Sequence, residues 1–119
     1  MRFMMLVQQP ADTSGDHPPD PADAARMQRY NEDLTRAGVL LALDALHPAA
    51  EGARVEFTGG RRRVLDGSCP GRRELVGAYW LLQVSSKEEA LEWARRCPMR
   101  DGDVLEVRRV HEGPEERVS

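Results

Sequence analysis

The sequence predicts a single α+β domain with a ferredoxin-like split βαβ pattern and one extra hairpin. Three observations support this prediction. Six runs have the length and apolar pattern of strands, and two segments have the periodicity of amphipathic helices. Their order along the chain is β-α-β-β-β-β-α-β. A chain of 119 residues has room for one modest core and no second domain.

The first half of the chain predicts a strand and a helix separated by a loop. The strand covers the run RFMMLVQQ and ends at Pro10, where a proline-rich loop begins. The helix is predicted over residues 20–37, because Asp20 suits the N-cap position and Pro21 the first helical position. Its apolar positions recur every three or four residues, at Met27, Tyr30, Leu34 and Ala37.

The middle of the chain predicts a strand over residues 39–46 and a hairpin over residues 53–66. The Gly59-Gly60 pair suits a two-residue turn that requires positive φ angles. Val55 and Phe57 alternate with polar residues, which is the period of a half-buried strand.

The last part of the chain predicts a strand, a helix and a final strand. The most apolar segment, residues 76–84, is expected to be a central strand. Ser85 and Glu88 have the spacing of a capping box that begins the second helix, and the final strand covers residues 103–110. The domain is therefore predicted over residues 1–112, with a flexible acidic tail over residues 113–119.

The number of helices has a consequence for assembly. Two helices cover one face of a sheet, and the other face would leave apolar side chains in water, at a cost of roughly 25 cal/mol per Å². A homodimer with two sheets packed face to face removes that cost and encloses a pocket.

Composition and charge exclude several classes of protein. The net charge of −3 argues against nucleic acid as a partner. The mean hydropathy of −0.58 and the short apolar runs argue against a membrane protein, and we expect a cytoplasmic location. Cys69 and Cys97 have neither a zinc-site spacing nor a disulfide framework, so both are expected to be reduced thiols. No phosphate-loop or metal motif occurs, so any chemistry is expected without a cofactor or metal.

Three quoted segments resemble a known family. The segments are RYNEDLTRAGVLLALDALHPAAEGARVEFTGGRRRVLDG, RRELVGAYWLLQVSSKEEALEWARRCP and EVRRV. They are similar, in one register, to the YCII-related proteins, in particular the branch named for an Asp-Gly-Pro-Phe motif. The resemblance implies a dimeric α+β barrel. It also implies small organic substrates for relatives that act as lyases or isomerases, and a sigma-factor association for other members of the branch.

The chain departs from the family pattern in the loop that names the branch. Asp66-Gly67-Ser68-Cys69 stands where the family has Asp-Gly-Pro-Phe, and Gly71 and Arg72 replace the acidic residue and threonine that follow. Leu43-Asp44-Ala45-Leu46-His47-Pro48 stands in place of Gly-Glu-Gly-Leu-His/Gln-Pro. This change indicates either relaxed constraint or a pocket reshaped for a particular substrate.

Two residues are the candidate catalytic groups. His47 ends a strand just before Pro48, and either its unperturbed pKa of about 6.5 serves proton transfer or its imidazole bonds a backbone carbonyl at the strand end. Asp66 either bonds its own backbone in an Asp-Gly turn or, as the resemblance implies, lies beside the pocket. Cys69 is a nucleophile only if Arg72 and Arg73 stabilise its thiolate, and nothing in the sequence positions a base beside it.

Four further residues are candidate substrate contacts. Arg73 suits a substrate carboxylate or phenolate, and it also suits a salt bridge with Glu74. Tyr79 and Trp80 alternate in one strand, so one faces the helices and the other faces the dimer or the pocket, and packing in a core is the alternative role for either. Asp44 pairs with His47 only if a bulge brings the two to one face of the strand.

Two functions follow as hypotheses. The first is a homodimer that binds a small organic molecule and performs cofactor-free acid-base chemistry, such as cyclisation, isomerisation or elimination. The second is a non-catalytic accessory or regulatory protein associated with a sigma factor.

Overall fold

The computed structural model of the protein describes residues 1–10, 20–47, 51–67 and 74–113. The elements, in chain order, are β1 (Arg2–Pro10), α1 (Pro21–Arg36), β2 (Leu40–Ala45), β3 (Ala53–Thr58), β4 (Arg61–Asp66), β5 (Glu74–Gln83), α2 (Lys87–Arg96) and β6 (Val104–Arg109). The predicted α+β class and the predicted order of elements are confirmed. Neither of the two helices in these residues is long and apolar enough to cross a membrane. Residues 114–119 lie outside the described part, so the flexible tail stays a prediction.

The strands form one four-stranded sheet and one separate hairpin. The four-stranded sheet is antiparallel in the order β2-β5-β1-β6, so β1 and β5 are its central strands. Among the described strands, β3 and β4 pair only with each other, in their own two-stranded sheet. The hairpin, residues 53–66, is called the arm below.

Alternation along β1 decides which face of the sheet becomes the core. Phe3, Met5 and Val7 are buried, whereas Met4 and Leu6 point to the opposite face and are half-buried. Both helices pack on the side of the buried set. The core contains Phe3, Met5, Val7, Tyr30, Leu34, Val39, Trp80, Leu82, Val84, Ala90 and Cys97.

Two hydrogen bonds tie the helices to the sheet and to each other. The indole Nε1 of Trp80 donates to Oδ1 of Asn31 at 2.9 Å, which joins β5 to α1. The Tyr30 hydroxyl donates to the backbone carbonyl of Trp93 at 2.8 Å, which joins α1 to α2. Burial raises the pKa of Tyr30 well above its ordinary value, so this phenol stays protonated. In the part of the chain that the structure describes, no buried side-chain nitrogen or oxygen lacks a hydrogen-bond partner.

The helix starts were predicted well but not perfectly. Asp20 is the N-cap of α1, and its side chain accepts a hydrogen bond from the backbone N–H of Ala22 at 2.9 Å. The prediction for α2 is wrong by one residue, because Ser86 is the N-cap and accepts from Glu89 N–H at 3.1 Å. The Glu89 carboxylate in turn accepts from the Ser85 N–H and hydroxyl. The adjacent serines allowed either register.

The arm differs from its prediction in burial. Gly59 and Gly60 have φ angles of 57° and 79°, as the predicted turn requires. Val55 and Phe57, however, are exposed, so the prediction of a half-buried strand is wrong for the single chain. The reason is that β3 and β4 do not join the main sheet, and the helices cover only that sheet.

We predict that Leu34→Ala destabilises the protein by about 2 to 5 kcal/mol, because Leu34 is fully buried and the substitution leaves a cavity between α1 and the sheet. Denaturant unfolding followed by circular dichroism measures the change. Leu41→Ala is the matched control, since Leu41 is exposed and its truncation should cost less than about 0.5 kcal/mol. Equal losses in the two variants would contradict this placement of the core.

Candidate functional site

The sheet surface opposite the helices combines apolar and polar side chains. We call it the open face. Register places its side chains in rows, because residues paired across antiparallel strands point to the same side. One row runs Asp44, Tyr79, Leu6, Glu106, and the next runs Ala42, Leu81, Met4, Arg108. The first row thus has a carboxylate at each end and a phenol and an isobutyl group between them.

Asp44 and Tyr79 link β2 and β5 on this face through a side-chain hydrogen bond. The Tyr79 hydroxyl donates to Oδ2 of Asp44 at 2.6 Å. The two residues are directly opposite in the β2–β5 ladder, although 35 positions separate them in the chain. A register shift between Leu40 and Ala42 sets which residues of β2 reach this face.

The hydrogen bond keeps the phenol of Tyr79 protonated. The carboxylate of Asp44 raises the pKa of Tyr79, because it accepts the hydrogen bond from the phenol and adds negative charge beside it. Tyr79 therefore keeps its proton at neutral pH. The pair presents two acceptors to a ligand: the second carboxylate oxygen of Asp44 and the lone pairs of the Tyr79 hydroxyl. Such a pair can bind an N–H or O–H group and can accept its proton at Asp44.

The far end of the same row is held by a second polar cluster. The side-chain amide of Gln8 donates to Oε1 of Glu106 at 2.5 Å, and Nε of Arg108 lies 3.6 Å from the other oxygen. Both oxygens of Glu106 are thereby engaged. Asp44, with one oxygen toward Tyr79, is the carboxylate of this row that has more capacity for a ligand.

The two predicted catalytic residues lie at the base of the arm. The imidazole of His47 follows β2 and is 90% exposed, with Nδ1 3.9 Å from Oε2 of Glu51. Gly52 comes next in the chain, and its carbonyl accepts from the N–H of Gly67 at 2.8 Å. Asp66, the residue before Gly67, is exposed at the end of β4. The fold therefore brings both candidates to one end of the arm, at the surface of the single chain.

The remaining candidates have different environments. Trp80 is 3% exposed and faces the helices, so Tyr79 is the member of the aromatic pair on the open face. Arg73 and the altered motif at 68–73 lie outside the described residues, and their predicted roles stay predictions. Cys97 is buried at the end of α2, and burial raises the pKa of its thiol to about 11. Such a thiol is a poor nucleophile at neutral pH.

A shallow groove lies on the helix side of the sheet, between α1 and the edge strand β2. Met27, Leu40 and Leu43 form its apolar part. Asn31 lies in the groove and already accepts the hydrogen bond of the Trp80 indole. The groove is separated from the Asp44–Tyr79 pair by the thickness of the sheet, because Leu43 pairs with Trp80 whereas Asp44 pairs with Tyr79.

Sequence reasoning found the members of the Asp44–Tyr79 pair but not the pair itself. It considered His47 as the partner of Asp44, although residues three apart in a strand point to opposite faces. It also missed Glu51 beside His47 and the Gln8–Glu106 contact on β1 and β6. The sequence does place Tyr79 in the strand predicted over 76–84. Pairing it with Asp44 requires the register between β2 and β5, which the sequence does not give.

The fold and the site define a small α+β protein with one helix-covered and one open sheet face, the latter carrying a carboxylate–phenol pair. The family model for the YCII-related domain matches residues 1–113. The chain belongs to this family, as the resemblance predicted. No curated protein matches the sequence.

We predict that Asp44→Asn lowers the pKa of Tyr79, because the substitution removes the carboxylate that accepts the phenol's hydrogen bond and, with it, the negative charge beside the phenol. The chain has two tyrosines, so NMR of protein labelled with ¹³C at the tyrosine ζ carbon resolves both during a pH titration. Glu88→Gln, on α2, is the control with the same loss of charge. A Tyr79 titration unchanged in Asp44→Asn would contradict the hydrogen-bonded pair.

Proposed function

We propose that the protein is a homodimer that binds a small organic molecule over the open face and performs cofactor-free proton transfer on it. The observation that carries this proposal is the Asp44–Tyr79 hydrogen bond on a sheet face whose other side chains include Met4, Leu6 and Leu81. Polar groups on an apolar surface are the arrangement that orients a ligand in a pocket. A partner that covers this face would enclose them.

The acceptor atoms of the pair suggest the class of ligand. Asp44 and Tyr79 offer acceptors, so the ligand presents a hydroxyl, an enol or an amine to them. The free oxygen of Asp44 accepts the proton, and the Tyr79 hydrogen bond to the other oxygen holds the carboxylate in place. Trp80, on the helix side of the same strand, fixes β5 to α1 through its hydrogen bond to Asn31 and does not contact the ligand.

The residues at the base of the arm supply the second half of the proposal. His47 or Asp66, in its protonated form, would return a proton to the product, Asp44 would release the proton that it accepted to water, and Arg73 would stabilise a developing anion. Cyclisation, isomerisation and elimination all need this combination of a base and an acid. The altered loop at 66–69 favours a substrate particular to this protein, within the branch named for the Asp-Gly-Pro-Phe motif.

We expect Asp44→Asn and Tyr79→Phe each to weaken ligand binding about tenfold to a hundredfold, since hydrogen bonds to charged groups contribute about 1.5 to 3 kcal/mol. The measurement is a ¹H–¹⁵N NMR titration with a panel of small amines, phenols and enolisable carbonyl compounds, which reports binding in every variant, including the one that lacks Tyr79. Glu88→Gln, away from the open face, is the control. Ligands that bind both variants as tightly as the unaltered protein would contradict the assignment of the site.

A second candidate function is non-catalytic binding of a sigma factor, which the resemblance implies for other members of the branch. The groove of Met27, Leu40 and Leu43 favours it, because an apolar groove apart from the open face suits a protein segment. Under this function, Leu43→Glu abolishes co-purification with an extracytoplasmic-function sigma factor of the same genome, and Asp44→Asn does not. If both variants still co-purify with the sigma factor, the groove is not the binding site.

A further inference from the structure

The arm has an apolar stripe that its own chain leaves in water. The β3–β4 register puts Val55 opposite Val64, and Phe57 lies two residues further on the same face. These three residues are here called the arm stripe. Val55 is 49% exposed, Val64 64% and Phe57 69%. The Arg62 guanidinium lies over the Phe57 ring at 5.6 Å and covers part of it. A two-stranded hairpin with an uncovered apolar face is marginally stable in water.

We propose that the arm docks through this stripe on a second copy of the chain, and that docking encloses the site residues at the base of the arm. This inference rests on the homodimer of the proposed function and adds the element that closes it. The occupant of the stripe is thus another molecule of the same protein.

Charge favours a second copy as the occupant. The arm contains Arg54 and the arginines at 61–63 against the carboxylates of Glu56 and Asp66, which gives the arm a net charge of +2. The rest of the chain has thirteen cations and eighteen carboxylates, a net charge of −5. A basic arm is therefore attracted to the acidic body of another copy. Nucleic acid would also attract the arginines, but it would leave the arm stripe uncovered.

Shape and symmetry favour the same occupant. The radius of gyration is 16.5 Å, against roughly 13 to 14 Å for a compact domain of this length. The chain extends over 45 × 45 × 20 Å, so it is broad and flat. A two-fold exchange of arms between two such chains covers both stripes at once, because an isologous interface uses each contact twice.

Docking would also complete the site. His47 is 90% exposed and Glu51 63% exposed in the single chain, and Asp66 is exposed beside them. Water at these groups screens the charges that proton transfer needs to control. They lie where the arm leaves the body of the protein, so a second copy seated on the arm would cover them. The site of one copy is therefore incomplete without the other copy.

Fluorine NMR tests the inference directly, because the chain has two phenylalanines. Phe3 is buried in the core and Phe57 is in the arm stripe. In protein labelled with 4-fluorophenylalanine at 100 µM, we expect a soluble nitroxide to broaden both signals weakly. Val64→Glu should weaken self-association at least a hundredfold and increase the broadening of the Phe57 signal several-fold, with the Phe3 signal unchanged. Sedimentation velocity on the same samples reports the mass.

Thr58→Glu is the matched control, because it introduces the same charge on the opposite face of the arm. It should keep the dimer and the protected Phe57 signal. The unchanged Phe3 signal reports that each variant is folded.

Three results would overturn the inference. The first is a dimer that persists in Val64→Glu, with the Phe57 signal broadened to the same extent as in the unaltered protein. This result leaves the proposed function intact, since the ligand measurements on Asp44→Asn are independent of the arm. The second is a monomer at 100 µM, which would overturn both. The third is a Phe57 signal protected only after addition of a DNA duplex, which would make nucleic acid the occupant.

Discussion

The structure depends on the unequal coverage of one four-stranded sheet. β1 is central, and its alternate side chains are divided between two environments: Phe3, Met5 and Val7 lie beneath the helices, and Met4 and Leu6 do not. The helix-covered side supplies nearly all of the buried core. The chain has no third layer in its described residues, so the open face and the arm are available for other contacts.

The open face is not simply a missing half of a core. A surface that only packed against a partner would have little use for a carboxylate and a phenol on it, because buried polar groups lose hydration and must be satisfied. Here Asp44 and Tyr79 satisfy each other, as do Gln8 and Glu106 at the other end of the row. These internal hydrogen bonds allow the face to be covered without a large penalty and still leave acceptors for a ligand. This combination connects the packing of the sheet to the proposed chemistry.

The arm links assembly to the site. It is built from a tight Gly59-Gly60 turn and carries the arm stripe on one face and three of its four arginines, with Leu65, on the other. Its base holds His47 and Asp66, the residues that sequence patterns and the family resemblance had selected as catalytic. If the arm stripe is covered by a second copy, the same event that stabilises the hairpin also removes water from those residues.

The sequence by itself determined the local features of this protein. The N-cap at Asp20, the hairpin turn at Gly59-Gly60 and the type and order of the elements all depend on neighbours within a few residues, and those rules are visible in a single chain. The start of α2 was misplaced by one position, because Ser85 and Ser86 have equal capping ability and the choice depends on packing. The family also followed from the sequence.

Only the tertiary structure decided which side chains meet. Asp44 is opposite Tyr79 because a register shift in β2 selects that pairing, and a shift of one residue would have turned Asp44 to the helices. Burial of Trp80 rather than Tyr79 follows from the side on which the helices pack. The exposure of Val55 and Phe57 follows from the separation of the arm from the main sheet. Strand registers and layer positions join residues that are distant in the chain, so no local pattern could have specified them.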